Sequence, residues 1–213
     1  VVEATRQLIS TLLSQAPKAI GILFASQMGG VILAEPDGRP LTNYYSWRDQ
    51  RTTKRHPSHP GSYLDAIREY LGNDEIQLLG NELRAGSALA ILYWLEERGL
   101  LLPGAEPLSL GDFVVKQLCE GNRTALDPTL ALGLLDLKEN TWHRHSIEVL
   151  GLEALLWPKL DTVWQAAGVL KIHGKNLPCH PPIGDHQAAL AGALLESGEL
   201  SLNISTGSQI GML

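Results

Sequence analysis

Three clusters of residues in this 213-residue chain combine side chains that bind or react with polar ligands. Ser26-Gln27-Met28-Gly29-Gly30 follows a strongly apolar run, and in open α/β sheets ligands collect beyond the carboxyl ends of strands. The same five residues also have the make-up of a plain tight turn. Trp47-Arg48-Asp49-Gln50-Arg51 sets an indole beside paired charges. An indole can stack on a sugar face while Asp and Arg reach its hydroxyls, although an exposed ion pair closing a strand has the same composition. Gly184-Asp185-His186-Gln187-Ala188-Ala189-Leu190 places an acid between a Pro/Gly-rich approach and a small-residue helix. Asp at such a point caps the helix, or its carboxylate accepts a proton from a substrate hydroxyl, a role Asp plays in phosphoryl transfer. The downstream strand at residues 200–204 and the turn Ser205-Thr206-Gly207-Ser208 favour the second reading, because they would offer a hydroxyl and backbone N–H groups to a phosphate.

Metal chemistry has weaker support. Cys179, His180 and His186 lie close in sequence with His173 upstream, but no C-x-x-C or H-x-x-x-H spacing is present and Pro181-Pro182 stiffens the stretch. No metal site is expected. His143 and His145 flank Arg144 on a polar stretch and read as solvated.

The elements that must hold these clusters follow from periodicity. Leu8, Ile9, Leu12 and Leu13 mark a first helix with no capping residue before it, a start that suggests a chain cut inside a longer protein. Residues 18–25 read as a short buried strand, and residues 31–34 as a second. Pro36-Asp37-Gly38-Arg39-Pro40 turns the chain into a return strand at residues 41–46. Residues 51–61 are loop. Helical patterns cover residues 63–71, 87–98 and 110–120, each closed by a glycine (Gly72, Gly99, Gly121). Residues 142–150 and 152–160 read as two further helical pieces split by Gly151. A Pro-rich approach at residues 177–183 leads to a helix at 186–195, then strands at 200–204 and 209–213.

Composition sets the class. The chain is 44% hydrophobic and 19% charged with a mean hydropathy of -0.01, enough apolar material for a sizeable core and too much for a disordered tail. A net charge of -6 argues against a nucleic-acid surface, and no apolar run approaches the roughly 20 residues of a membrane span. Two cysteines do not make a disulfide scaffold and suit a reducing cytoplasm.

Taken in order, the clusters resemble the FGGY family of carbohydrate kinases in the actin-like ATPase superfamily. Ser26-Gln27-Met28-Gly29-Gly30 is similar to the family's G-Q-M-H-G substrate turn, and Trp47-Arg48-Asp49-Gln50-Arg51-Thr52 to its W-x-D-x-R-T segment. Residues 83–95, with Trp94, resemble a family helix ending in a W-L pair. Asp112-Phe113 resembles the D-Y/F motif, and Asp127-Pro128-Thr129 with Ala131 the D-x-T/S-x-A segment. Gly184 to Leu190 resembles the G-D-x-Q-A-A-L motif that carries the catalytic Asp. Six motifs in family order span nearly the whole chain. Leu202-Asn203-Ile204-Ser205-Thr206 is most similar to sedoheptulokinase-like members, and the chain as a whole resembles sedoheptulokinase- and xylulokinase-type members.

The resemblance implies an α/β, ribonuclease-H-like domain, truncated at its N-terminus, with the first hairpin of a second such domain at its C-terminus. Residues 1–199 would form the sugar-binding domain and residues 200–213 the start of the ATP-binding one. It implies transfer of the γ-phosphoryl of ATP, with Mg²⁺, to a hydroxyl of a ketose such as sedoheptulose or a pentulose. Asp185 would be the general base, Gln27, Met28, Trp47 and Asp49 would line the sugar pocket, and Ser205, Thr206 and Gly207 would face the ATP phosphates. Partners would be the sugar and ATP, with no nucleic acid and no membrane; a homodimer is left open. Gly29 stands where the family has His, leaving more room. The family's opening D-x-G-T-T/S segment and most of its second domain have no counterpart in these 213 residues, so the chain by itself is expected to be inactive. The rival reading is a non-catalytic sugar-binding or regulatory remnant. An actin-like ATPase that handles no sugar is disfavoured by Trp47 and Gln27.

Overall fold

A computed structural model of the chain describes residues 1–120, 125–131, 133–204 and 209–212. The first half runs α1 (Val2–Gln15), β1 (Ala25–Ser26), β2 (Ile32–Ala34), a 3-10 turn (Arg51–Thr53), α2 (Tyr63–Leu78), α3 (Ala88–Glu97), β3 (Glu106–Leu108) and α4 (Leu110–Leu118). The second half runs β4 (Ala125–Leu126), a 3-10 turn (Pro128–Leu130), β5 (Leu135–Asp136), β6 (Thr141–Trp142), α5 (Arg144–Val149), β7 (Lys159–Leu160) and β8 (Gly168–Ile172). It ends in β9 (Lys175–Cys179), β10 (Ile183–Gly184), α6 (Asp185–Gly192), β11 (Leu200–Asn203) and β12 (Gln209–Met212).

The three central helices start on serine. Ser62, Ser87 and Ser109 each accept a hydrogen bond from the backbone N–H three residues on, which satisfies one otherwise orphaned donor. At Ser62 the Asp65 carboxylate returns the bond and completes a capping box. Gly72 (φ 73°) ends the first helical stretch of α2 as its sequence predicts, and a short second stretch, not foreseen, continues to Leu78. Gly99 (φ 62°) follows the end of α3, whereas Gly121 lies outside the described residues. α3 is apolar on almost every face and is accordingly buried from Ala88 through Tyr93 and at Leu95. Around it the larger core gathers α2, α5, Leu126, Leu134, Leu150 and Leu152. A second core joins Ile9 and Leu13 of α1, Val114, Val115 and Leu118 of α4, and Leu170 and Leu177 of the β8–β9 hairpin.

Among the described residues the strands pair two by two. β1 lies parallel to β10 and β4 parallel to β7, while β2–β3, β5–β6, β8–β9 and β11–β12 are antiparallel. Several expectations are corrected. Residues 18–25 are not a buried strand: Ile20 is 90% and Leu23 72% exposed, and only Ala25–Ser26 is strand. From Ile22 onward burial alternates, with Ile22 and Phe24 packed on the second core and Leu23 and Ala25 facing out, the pattern of a chain covered on one face only. The return arm at 41–46 is interrupted. It meets the β2 arm at Pro40 and Tyr45, and between them the Thr42 hydroxyl accepts from Leu33 N–H at 3.1 Å. Residues 152–158 are turn and irregular chain and Lys159–Leu160 is strand β7, not helix, because Gly151 (φ 70°) and Pro158 leave too short a span and Leu152 and Leu155 reach the core directly. The β8–β9 hairpin was missed: its two-residue loop is His173-Gly174, both at positive φ as a type I′ turn requires, without the usual Asn-Gly signal. His143 is not solvated. It is 4% exposed, accepts from Ser146 N–H at the start of α5, and lies 2.8 Å from the Glu75 carboxylate; His145 is exposed. No helix among the described residues is long and apolar enough to cross a membrane.

Asp112, in the first turn of α4, is 3% exposed, and its Oδ1 finds no partner among the described residues. Burial raises its pKa to about 7, against the hydrogen bonds from Ser109 that pull it down, and nearby Asp127 adds to the rise. The folded value exceeds the unfolded Asp value of about 3.9, so the stability contributed by this proton is present below about pH 4 and is lost as pH rises through about 7. Denaturant titrations from pH 4 to 8 should therefore show falling stability across that window, and Asp112→Asn, which stays neutral, should flatten the fall. An unchanged slope in the variant would show that Asp112 does not hold the proton.

Candidate active site

The parallel pairing of β1 with β10 brings two of the three clusters together. Ala25 faces Ile183 and Ser26 faces Gly184, with Ile183 N–H donating to Phe24 O at 3.0 Å. Parallel strands end on the same side, so the turn Gln27-Met28 and the acid Asp185 leave neighbouring strand ends in the same direction. The fit is close: a side chain at Gly184 would come to 3.1 Å from Met28 Sδ, and one at Gly111 to 2.6 Å from Ser26 Cβ. The N-terminus of α4 thus presses on the strand pair from behind.

Asp185 is the first residue of α6 and is exposed. Its Oδ1 accepts from His186 N–H at 3.0 Å, and the N-cap position itself belongs to Gly184, which makes no side-chain cap bond. The side chain is therefore a helix-start carboxylate rather than the cap considered from the sequence.

The second cluster joins the first through backbone contacts. Gln27 Nε2 donates to the Tyr44 hydroxyl, which in turn donates to Gly29 O at 3.2 Å. Burial raises the Tyr44 pKa, partly offset by its bonds to Trp47 backbone and Gln27. Gly30 N–H donates to Gly86 O at 3.0 Å, and Gly86 (φ +76°) lies so close to the Trp47 carbonyl that no side chain fits there. Trp47 itself is 46% exposed, with the Arg48 guanidinium 5.9 Å from its ring centre. Asp49 is tied to Arg51 by both oxygens, 2.8 Å to the backbone N–H and 2.9 Å to Nε. Burial alone would raise the Asp49 pKa, but these Arg51 bonds outweigh it and hold the carboxyl below its usual range. Arg51 is in turn sandwiched at 4.7 and 4.6 Å between the rings of Tyr45 and Trp94.

Beneath the Met28–Gly29 turn opens a cavity of about 290 Å³, lined among others by Leu130, Ala131, Ser87 and Gln187. Of the predicted site residues only Met28 lines it. Gln27, Trp47, Asp49 and Asp185 lie outside its lining, and Ser205, Thr206 and Gly207 lie outside the described residues. Gln187, whose Oε1 is buried without a partner among the described residues, was not singled out beyond its place in the Gly184–Leu190 cluster. Tyr44 was missed because a tyrosine in a strand reads as packing. The metal-like residues are otherwise engaged: His173 Nε2 meets Ser10 Oγ at 2.7 Å, His180 Nδ1 donates to Val163 O at 2.7 Å, and Cys179 is a buried thiol. Among the described residues no three His, Cys, Asp or Glu side chains gather as a metal site.

No family model matches the chain. A xylulose kinase of Staphylococcus xylosus is 25% identical over 73% of this chain and 31% of its own length. A glycerol kinase of Thermococcus gammatolerans is 26% identical over 90% of this chain and 39% of its own length. The chain thus spans about a third of the length of the curated relatives it matches. Among solved structures, a gluconate kinase from Lactobacillus acidophilus superposes with a TM-score of 0.77 at 17% identity, covering 98% of this chain and 43% of that one. The fold is that of the ribonuclease-H-like, actin-like sugar kinases.

Gly86 gives a direct test of how the second cluster is held. Gly86→Ala would drive a methyl group into the Trp47 carbonyl at a positive φ, a conformation worth about 1–3 kcal/mol of strain before the clash is counted. Thermal unfolding should show at least that loss, with a blue or red shift of Trp47 fluorescence as its turn moves. An alanine variant as stable as the parent would mean that this close approach is absent in solution.

Proposed function

We propose that this chain, similar in sequence and in fold to the FGGY carbohydrate kinases, is the sugar-binding part of an ATP-dependent kinase that phosphorylates a hydroxyl of a ketose, sedoheptulose or a pentulose. The observation that carries the reading is the parallel β1–β10 pair, which sends the Gln27-Met28 turn and the Asp185 carboxylate out side by side. Ligands of open α/β folds sit at such carboxyl ends.

In this reading Asp185 takes the proton of the sugar hydroxyl as that oxygen bonds to the γ-phosphorus, and the bond to the ADP oxygen breaks. An exposed carboxylate at a helix start is reachable by substrate. Gln27, Met28, Trp47 and Asp49 line the sugar side, with Tyr44 fixing the Gln27 amide. Residues 1–199 would form the sugar-binding domain and residues 200–213 begin the ATP-binding one; the family resemblance assigns the ATP phosphates to Ser205, Thr206 and Gly207, which lie outside the described residues. ATP and Mg²⁺ enter through the family. The described residues assemble no ligand set for the metal, so no step here is routed through it. A ketose over glycerol is supported by room at the turn itself, where Gly29 brings no side chain.

The test uses the whole protein and a coupled assay of ADP release. Asp185→Asn should lower kcat by roughly two to four orders of magnitude, the span of a positioned general base, with a much smaller change in the sugar KM. Across glycerol, xylulose, ribulose and sedoheptulose, kcat/KM should favour the ketoses, because each pocket group left without a hydroxyl partner costs about 1–3 kcal/mol. A glycerol value at or above the ketoses removes the substrate assignment and leaves the kinase. Sugar binding without turnover establishes the remnant instead.

A further inference from the structure

The backbone just before Asp185 is anchored from a distant part of the chain. Ile183 N–H points toward β1 and donates to Phe24 O. Successive N–H groups of a strand point to opposite edges, so Gly184 N–H points away from β1, where no further strand follows in the described structure. Its partner is instead the Thr129 hydroxyl, at 2.8 Å. That hydroxyl has one proton, and it goes to Asp127 Oδ1 at 2.7 Å; the same oxygen also accepts Thr129 N–H at 2.9 Å. Asp127 is 7% exposed and Gly184 is buried. A carboxylate that captures the only hydroxyl proton leaves the Thr129 lone pairs for Gly184, and chains of this kind strengthen each other in a low-dielectric setting.

We infer that Thr129, oriented by Asp127, is a positioning residue that fixes the Gly184–Asp185 peptide and so the direction of the Asp185 carboxylate. The inference rests on the reading of Asp185 as the base. Among the described residues a carboxylate on this exposed helix start has little else to hold it: its one side-chain bond there is to the adjacent N–H. A catalytic group must be held within about half an ångström of its working place. Here the holding is done one residue upstream, through the main chain, by a residue that also lines the cavity beside Met28 and Gly29.

Two measurements separate this from the base assignment. Amide hydrogen exchange on the 213-residue chain should show Gly184 N–H exchanging about tenfold faster in Thr129→Val, a near-isosteric change that removes the acceptor, and returning to the parental rate in Thr129→Ser. Ile183 N–H, bonded to Phe24, serves as the internal reference and should not change. In the whole protein, Thr129→Val should lower kcat by about 10- to 100-fold with the sugar KM within about twofold, as misplacement of a reacting group by an ångström does, and Thr129→Ser should restore it. An unchanged Gly184 exchange rate overturns the relay. A normal kcat in Thr129→Val alongside a crippled Asp185→Asn overturns the positioning role and leaves the base standing. A normal kcat in Asp185→Asn removes the base, and with it the catalytic part of the inference, whatever the exchange rates show.

Discussion

The site depends on a short stretch of parallel backbone pairing. Ile22 N–H donates to Pro178 O, His180 N–H to Ile22 O, and Ile183 N–H to Phe24 O, so residues 22–26 are laced to residues 178–184 from the far end of the chain. The sense of the pairing matters more than its length. In an antiparallel pair the Gln27-Met28 turn and Asp185 would leave from opposite ends, and no small ligand could meet both. Parallel strands cannot be joined by a tight hairpin and need a long crossover, and here nearly the whole folded chain serves as that crossover.

The same lacing explains why the site lies where two cores meet. Ile22 and Phe24 pack against the smaller core of α1, α4 and the β8–β9 hairpin, while Met28 packs against the larger core built around α3. Within seven residues, between Ile22 and Met28, the chain passes from one core to the other, and the Gly29–Gly30 turn follows directly. Both glycines have positive φ, and Gly30 stands where the Tyr44 hydroxyl leaves no space for a side chain. Gly86 answers from the other wall against Trp47, and Gly184 against Met28 and Gln187. Close backbone approach at these glycines, rather than side-chain bulk, brings the three clusters within reach of one another.

Buried polar groups line this seam, each with a stated partner or a stated cost. Asp127 is satisfied by Thr129 and hands its orientation on to Gly184. Asp49 is satisfied by Arg51, whose guanidinium is clamped between two aromatic rings, so the Trp47 turn rests on a rigid base. Asp112 is less well served and keeps its proton to higher pH, a cost that the nearby Asp127 charge increases.

Local chemistry was legible in the sequence. Helix starts at Ser62, Ser87 and Ser109 and stops at Gly72 and Gly99 are encoded within a few residues, because capping and left-handed turns are satisfied by neighbours along the chain. The turn at Gln27-Met28 and the acid at the start of α6 were equally visible as residue types. The largely apolar run of residues 18–25 misled, because apolarity does not say how many faces a tertiary structure covers; here it is one. His143 misled for the converse reason, since its polar neighbours in sequence are not its neighbours in space, where Glu75 and Ser146 enclose it. Residue types and their order were determined by the sequence alone. Which of them meet, through the β1–β10 register, the Thr129 hydroxyl under Gly184 and the Tyr44 hydroxyl on Gln27, was decided only by tertiary structure, because hydrogen bonds across such separations have no trace in local pattern.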